Sequence, residues 1–460
     1  MLRGRVPARV WAVLAIALCL RLTLVGATFN TPLTLDPADF SGTGLSIAQG
    51  HGYPFSNRAP GGGPSAFRPP AYPAFLAGVY AIAGREAPGA ARMVQALLGT
   101  VAVGLIGLIA ARIWGRRVGM LALGIAACAP PLVVMSTALV SEALFVPLVL
   151  AATATAIEAG RSKRPVAWAL ATGVLIGAAE LTRTNAVVLL IPLAFAVWSA
   201  LRGRSLRALA LPATVVAAAV LTVAPWTIRN WFVFHSFVPV STEVGYTLAG
   251  TYNQASRADQ HWPAVWKEAE HGASPEYGQI LYYASTQRWG ERKLDDRLLS
   301  AAIADIGRDP SYVLKVGMWN AIRMFHLGEL DLAVDNLRDT DIPRAPALLE
   351  IYGFYPLGLL ALGGIATSAV RRAPRWLWLI PGLLATTIFI TGFIRFRAGI
   401  DPFLVMLAAV ALAPLLERHY ARQRTKATTS ATITTTTTTT ATMLTGCWCH
   451  QNSGLARSRV

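Results

Sequence analysis

Charged residues are scarce in this sequence. They make up 14% of its 460 residues, where a soluble domain carries roughly a quarter. Hydrophobic types reach 54% and the mean hydropathy is +0.47, which excludes an ordinary water-soluble domain. Cysteine is nearly absent too. Cys19 and Cys128 fall inside apolar runs, where they act as small packing residues. Cys447 and Cys449 stand beside His450 in a polar tail, and two thiols with one imidazole make a poor metal cage. No cysteine pair lies in a loop expected outside the cell, so no disulfide is implied. The sequence also lacks a G-x-x-x-x-G-K-[ST] loop and a dinucleotide fingerprint, and it has no internal repeat of 20 to 50 residues.

What it has in abundance is apolar runs of about 18 to 22 residues, each long enough to cross a hydrocarbon core of roughly 30 Å. About ten transmembrane helices are expected, near 10–27, 92–112, 118–135, 142–160, 165–181, 185–201, 207–225, 351–369, 376–394 and 402–416. The first follows Arg3, Arg5 and Arg9 and resembles a signal peptide, but no convincing cleavage site follows it, so it is expected to stay as an anchor. With the N-terminus inside, the cytoplasmic segments 1–9, 112–117, 158–164, 202–207, 371–375 and 417–460 hold 21 of the 41 Lys and Arg, against two acids, Glu158 and Glu417. The segment 226–350 falls on the other side, with 12 basic and 16 acidic residues. This asymmetry is the positive-inside rule. The net charge of +17 therefore reports topology, and no nucleic-acid partner is expected.

The expected organisation is an N-terminal transmembrane module (1–225) with a first outer loop (28–91), an extracytoplasmic helical region (226–350), C-terminal transmembrane helices (351–416) and a cytoplasmic Thr-rich tail (417–460). The first loop is rich in Gly and Pro, which favour turns and extended chain. Its stretch Tyr72–Ala83 is short and apolar, suiting a helix in the membrane interface. In the second region helices are expected at 294–307 and near 311–326. The Thr tract 428–442 offers nothing to bury and is expected to be disordered.

Polar residues that interrupt apolar sequence gather, under this topology, on the outer face. Asp36 and Asp39 follow the first span, Glu142 opens the fourth, Glu180 and Arg183 end the fifth, Arg229 and Asn230 follow the seventh, and Arg395, Arg397 and Asp401 fill the loop before the tenth. Ionisable groups at membrane depth are costly and mark pathways or sites. Each also has a plainer explanation. Arg183, Arg395 and Arg397 could snorkel to headgroups, Asp36 and Asp39 could be solvated loop acids or a helix cap, and Glu142 could complement a helix dipole. Glu180 is expected to pair with Arg183, and Arg21 to snorkel or pair locally. His51, His235 and His326 have no partner at metal spacing. Together the set suits one chemistry: an acid acting as general base on a hydroxyl, with arginines gripping a phosphate by paired, charge-assisted hydrogen bonds.

These residues resemble a known family. The loop places Asp36 four residues before Phe40, then Gly50-His51-Gly52-Tyr53, then Arg68-Pro69-Pro70-Ala71-Tyr72-Pro73. It is similar to the first outer loop of bacterial family 39 glycosyltransferases, relatives of the dolichyl-phosphate-mannose protein mannosyltransferases and of the aminoarabinose transferase acting on lipid A. SEALF, LTRTN, PWTIRNWFVFHSFVPVSTEVGYTL and RFRAGIDPFLVMLAA follow in the family's order, so the resemblance spans roughly 28–416. It implies the GT-C fold, an inverting mechanism and a polyprenyl-phosphate sugar donor. It carries the catalytic acid onto Asp36, with Asp39 as the second carboxylate. Two positions depart from the family: Phe40 stands where Tyr is commoner, and Thr184 replaces the Pro that usually follows LTR.

The sequence thus points to a multi-pass cell-membrane glycosyltransferase with both termini cytoplasmic and its site outside. The donor is a polyprenyl-phosphate sugar, and the acceptor a protein, glycan or glycolipid. Substrate-binding residues are expected to be Arg183, Arg395, Arg397, Glu142, Tyr53, Arg68, Tyr72, Arg229 and Asn230, with Arg395, Arg397 and Arg183 on the lipid phosphate and Arg229 and Asn230 fixing the loop. No metal or other cofactor is expected, though a divalent ion could bridge acid and phosphate. The rival is a transporter or flippase for lipid-linked sugars. That role expects polar groups near the midplane and broken helices paired in two related halves, and neither is present. A scaffold with a dead site is countered by the intact Asp36, Arg395 and Arg397.

Overall fold

In hydrocarbon every backbone N–H and C=O must be satisfied within its own segment, so apolar runs of this length fold as helices. The structure, a computed structural model, describes residues 7–199, 209–268 and 274–416. Among them there is no β-strand, only an isolated bridge between Phe55 and Pro64. The Thr-rich tract, Cys447, Cys449 and His450 lie outside the described residues.

The chain opens with α1 (Ala8–Thr28), α2 (Leu35–Ala48), α3 (Ala71–Ala83), α4 (Pro88–Trp114), α5 (Arg116–Cys128), α6 (Pro130–Met135), α7 (Glu142–Ala159) and α8 (Pro165–Glu180). A 3₁₀ turn, Thr184–Leu189, leads into α9 (Leu190–Ser199), followed by α10 (Ala210–Phe234). Then come α11 (Val244–Thr251), α12 (Gln254–Ala258), α13 (Pro275–Thr286), α14 (Glu291–Arg308), α15 (Ser311–Met324) and α16 (Leu330–Arg338). The last elements are α17 (Arg344–Ile365), α18 (Ser368–Arg372), α19 (Arg375–Leu384), two 3₁₀ turns (Ala385–Phe389 and Ile394–Gly399) and α20 (Asp401–Leu416).

Helix occupies every expected span within the described residues. Five helices, α1, α4, α7, α10 and α17, are long and apolar enough to cross a membrane, and the other spans are shorter. The expected span 118–135 is broken, because Pro130 has no N–H to continue α5. Arg21 of α1 meets the break: its Nε donates to Ser136 Oγ at 3.0 Å and its Nη1 reaches Ala127 O at 3.4 Å. With 1% of its surface exposed, Arg21 pairs locally and does not snorkel. α10 runs past its interior Pro225 to Phe234, so Arg229 and Asn230 sit within that helix and not after it. Tight packing selects small residues. A Cβ on Gly173 of α8 would stand 2.3 Å from Val215 O of α10, the close approach that small-xxx-small stripes permit.

The loop-rich end, 29–87, 235–268 and 274–343, caps the bundle. α14 and α15 form where the sequence indicated. α2 was not expected in the Gly- and Pro-rich loop. It is held by packing, not by propensity: it buries Phe40, Ser41, Thr43 and Gly44 against α3, with Gly44 so close that a Cβ would reach 2.8 Å from that of Leu76. The Thr34 N–H and hydroxyl just before α2 both donate to Asp341, at 2.9 and 3.2 Å.

Candidate functional site

Asp36 and Asp39 are three residues apart in α2 and so share one face. Arg68, at the end of the first loop, reaches both: its Nε donates to Asp39 Oδ2 at 2.8 Å and its Nη2 to Asp36 Oδ1. Arg395, from the last 3₁₀ turn, donates to the other Asp36 oxygen. Arg58 stands 3.7 Å from Asp39. On the far side Glu142, 2% exposed at the start of α7, accepts from Arg183 Nη1 at 2.5 Å and lies 3.8 Å from Arg395 Nε. Arg183 also bonds Ser141 Oγ at 3.1 Å, with its guanidinium 4.4 Å from the Phe396 ring.

These charges are strongly coupled. Burial pushes the Asp36 carboxyl up, but Arg395 and Arg68 outweigh it and hold the group well below the usual carboxylate range. Burial opposes the charge of Arg395, yet Asp36 and Glu142 keep its pKa above the ordinary value. Two further acids feel the same groups and were missed from sequence, Glu243 and Asp339. Glu243, just before α11, feels Arg68, Arg183, Asp36 and Arg395, and burial raises its pKa. Its position within STEVGY carried no signal beyond that of a loop acid. Among the described residues no three His, Cys, Asp or Glu side chains converge to hold a cation, and guanidiniums already engage Asp36 and Asp39.

Several expected site residues lie elsewhere. Arg397 is turned away: in a 3₁₀ turn of three residues per turn, positions two apart point in different directions. While Arg395 meets Asp36, Arg397 enters the bundle with 1% exposure. There its Nε donates to Asp401 at 2.8 Å, its Nη1 to Met324 O at 2.8 Å and its Nη2 to Glu350, over the Phe354 ring at 3.9 Å. With all three nitrogens used, it has none left for a phosphate. Tyr72 is also internal, its hydroxyl donating to Gln95 Oε1 at 3.1 Å and its ring edge-on to Phe40. Tyr53 donates to the Arg68 carbonyl and packs against Trp226. Arg229 donates to Ser65 O at 2.9 Å, and Asn230 to Val238 O at 3.1 Å. These residues hold the loops that present Arg68. Arg183 pairs with Glu142 and not with Glu180, because its extended backbone (φ −152°, ψ 124°) after α8 carries it across to α7. His326 is structural, its Nε2 lying 2.8 Å from Glu350 in the Arg397 cluster.

Residues 67–228 match the family model of the dolichyl-phosphate-mannose-protein mannosyltransferases. No protein of curated function matches the sequence. Among solved structures, the oligosaccharyltransferase of Archaeoglobus fulgidus, in complex with zinc and sulfate, is 16% identical at a TM-score of 0.54, covering 90% of this chain and 50% of that one. AglB of the same archaeon, in complex with an inhibitory peptide and a dolichol-phosphate, is 15% identical at 0.54, covering 91% and 52%. ArnT of Cupriavidus metallidurans bound to undecaprenyl phosphate is 16% identical at 0.39, covering 88% and 78%. The chain spans about half the length of the archaeal enzyme. At such identities the likeness to the archaeal oligosaccharyltransferase shows the fold alone: this is an all-α polytopic membrane protein of GT-C architecture.

Proposed function

We propose that the protein is a membrane glycosyltransferase that moves a sugar from a polyprenyl phosphate to an acceptor at the extracytoplasmic face, with inversion. The observation that carries this is Asp36 held between Arg68 and Arg395 at the loop-rich end, beside the Glu142–Arg183 pair. The mannosyltransferase family match over Arg68, Glu142 and Arg183 and the dolichol-phosphate held by AglB support the class of donor. The basic short loops at the opposite end of the bundle support the orientation, with both termini cytoplasmic.

Arg68, Arg183 and Arg395 pair with Asp36, Asp39 and Glu142, and Arg58 lies 3.7 Å from Asp39, so the arginines of the cluster are already engaged. A donor phosphate draws Arg395 and Arg183 toward itself, because an anion competes for the same fork-shaped donors. Losing part of its arginine field, Asp36 rises toward the ordinary carboxylate range and becomes a better base. It then takes the proton of the acceptor hydroxyl. The hydroxyl oxygen bonds to the anomeric carbon as the bond from that carbon to the phosphate oxygen breaks on the opposite face. The lipid phosphate leaves with an added negative charge that Arg395 and Arg183 stabilise.

The test is to purify wild type and Asp36→Asn and offer each a panel of labelled polyprenyl-phosphate sugars with a membrane-extract acceptor. Wild type is expected to transfer, and Asp36→Asn to lose about 10²–10⁴-fold in rate while still binding donor. Binding without consumption by wild type across the panel would overturn the reading in favour of a transporter.

A further inference from the structure

A run of aromatic rings, Phe67 buried and Tyr246, Trp266, Phe393 and Phe396 half-buried, adjoins the arginines of the site. Phe67 meets Tyr246 edge-on at 5.7 Å, Tyr246 meets Trp266 at 5.8 Å, Trp266 meets Phe393 at 6.2 Å, and Phe393 meets Phe396 at 6.4 Å. Both ends of this arc touch the site's arginines. Arg58 and Arg68 lie 4.8 and 5.0 Å from Phe67, while Arg395 and Arg183 lie 5.3 and 4.4 Å from Phe396. The arc is built to stay in place. Trp266 Nε1 donates to Thr247 O at 3.2 Å, and its indole is seated where a Cβ on Gly250 would come within 2.1 Å of that nitrogen. The Tyr246 hydroxyl donates to Glu268 at 2.9 Å, which puts a carboxylate at the ring edge.

Aromatic faces are electron-rich and apolar, and a pyranose presents a face of C–H groups with hydroxyls round its edge. A wall of rings with a few polar groups at its margin is the usual make-up of a small-molecule pocket. Resting on the proposed function, we infer that the Phe67–Tyr246–Trp266–Phe393 arc is a sugar-stacking subsite, with Tyr246 and Trp266 as its platform. Trp266 and Tyr246 come from the loop-rich region and not from a span, which places them at the polar head of a lipid donor and away from its prenyl tail. The sugar ring can be that of the donor or of a glycan acceptor.

The sources separate by experiment. Binding of undecaprenyl phosphate, bare and carrying mannose or glucose, is measured for wild type, Trp266→Leu, Trp266→Phe and Tyr246→Leu. Saturation-transfer NMR with methyl mannoside and methyl glucoside is run in parallel. If the arc holds the donor sugar, Trp266→Leu loses about tenfold (near 1.4 kcal/mol) of the extra affinity conferred by the sugar. Bare-lipid affinity stays unchanged, which also reports an intact fold, and Trp266→Phe restores most of the loss. If it holds an acceptor sugar, that increment persists and the glycoside signal disappears instead. Should Trp266→Leu misfold, Tyr246→Leu takes its place. The subsite is overturned if neither readout moves, or if bare and sugar-bearing lipid weaken equally, the mark of a tail-binding wall. Wild type that binds no sugar lipid at all would instead sink the glycosyltransferase reading itself.

Discussion

Asp36 as it stands is ionised but occupied, since both oxygens accept from arginine. This sets the direction of one pH experiment. Because Arg395 and Arg68 depress the Asp36 pKa, the acid limb of kcat/KM, which reports the free enzyme, should lie below the usual carboxylate range in wild type. Replacing Arg395 with Gln removes one depressing charge, so that limb should move upward, and donor KM should rise about tenfold or more with the lost charge-assisted bonds. A limb that stays where it was in Arg395→Gln would move the base to another group, Glu243 first. Asp36, Asp39, Glu142, Arg183 and Arg395 could be picked out in sequence because each stands near the end of an apolar run. Arg68 could be picked out through the loop motif of the resemblance, whereas Arg58 could not. Nor could Glu243, since an acid in a polar loop looks like any other. Arg397 was misassigned because sequence proximity to Arg395 says nothing about which way a 3₁₀ turn points it.

Among the elements, α14 does the most to shape the site without entering it. Glu291 accepts from Ser65 Oγ and Ala66 N–H, both at 2.8 Å, and from Thr242. One turn later Asp295 accepts from the Gly245 N–H at 2.7 Å. Two carboxylates at i and i+4 thus clamp the strand of loop leading to Arg68 and the start of the helix that follows Glu243. Burial raises the Asp295 pKa to about 7, against the opposing pull of the Gly245 and Tyr246 N–H groups. The folded state therefore keeps this proton longer than the unfolded chain. The stabilisation is full below the ordinary carboxylate range and is lost as pH rises toward 7. Asp295→Asn, which still offers an oxygen to Gly245, should match wild type near pH 4 and melt roughly 2–4 °C higher above pH 7. Thermal scans across that range in detergent check it, and an equal offset at both ends would contradict it. α14 and α15 could be read from their amphipathic periodicity. α2 could not, because its stability comes from contacts with α3 and Asp341, distant in sequence.

Over the whole molecule, hydropathy and the placement of arginines made the polytopic architecture readable, while the joins between helices were not. The clearest join is the buried cluster of Arg397, Glu350, Asp401 and His326, which ties α15, α17, the last 3₁₀ turn and α20 together. Arg397→Gln strands Asp401 in the interior and leaves Glu350 with His326 alone, a change that costs about 3–5 kcal/mol. It should reduce the yield of folded protein and the melting temperature sharply. Arg395→Gln still leaves Asp36 with Arg68 and Glu142 with Arg183, so it should leave both closer to wild type, and size-exclusion profiles with thermal melts distinguish them. The bond between Asp36 and Arg395 closes a loop of 359 residues. During synthesis at about 5–20 residues per second, roughly 20–70 s pass between the two residues leaving the ribosome. Through that interval the Asp36 carboxylate has been made but the Arg395 guanidinium that pairs with it has not. The pair that joins the two ends of the site therefore cannot form until the segment just before the final helix has been made.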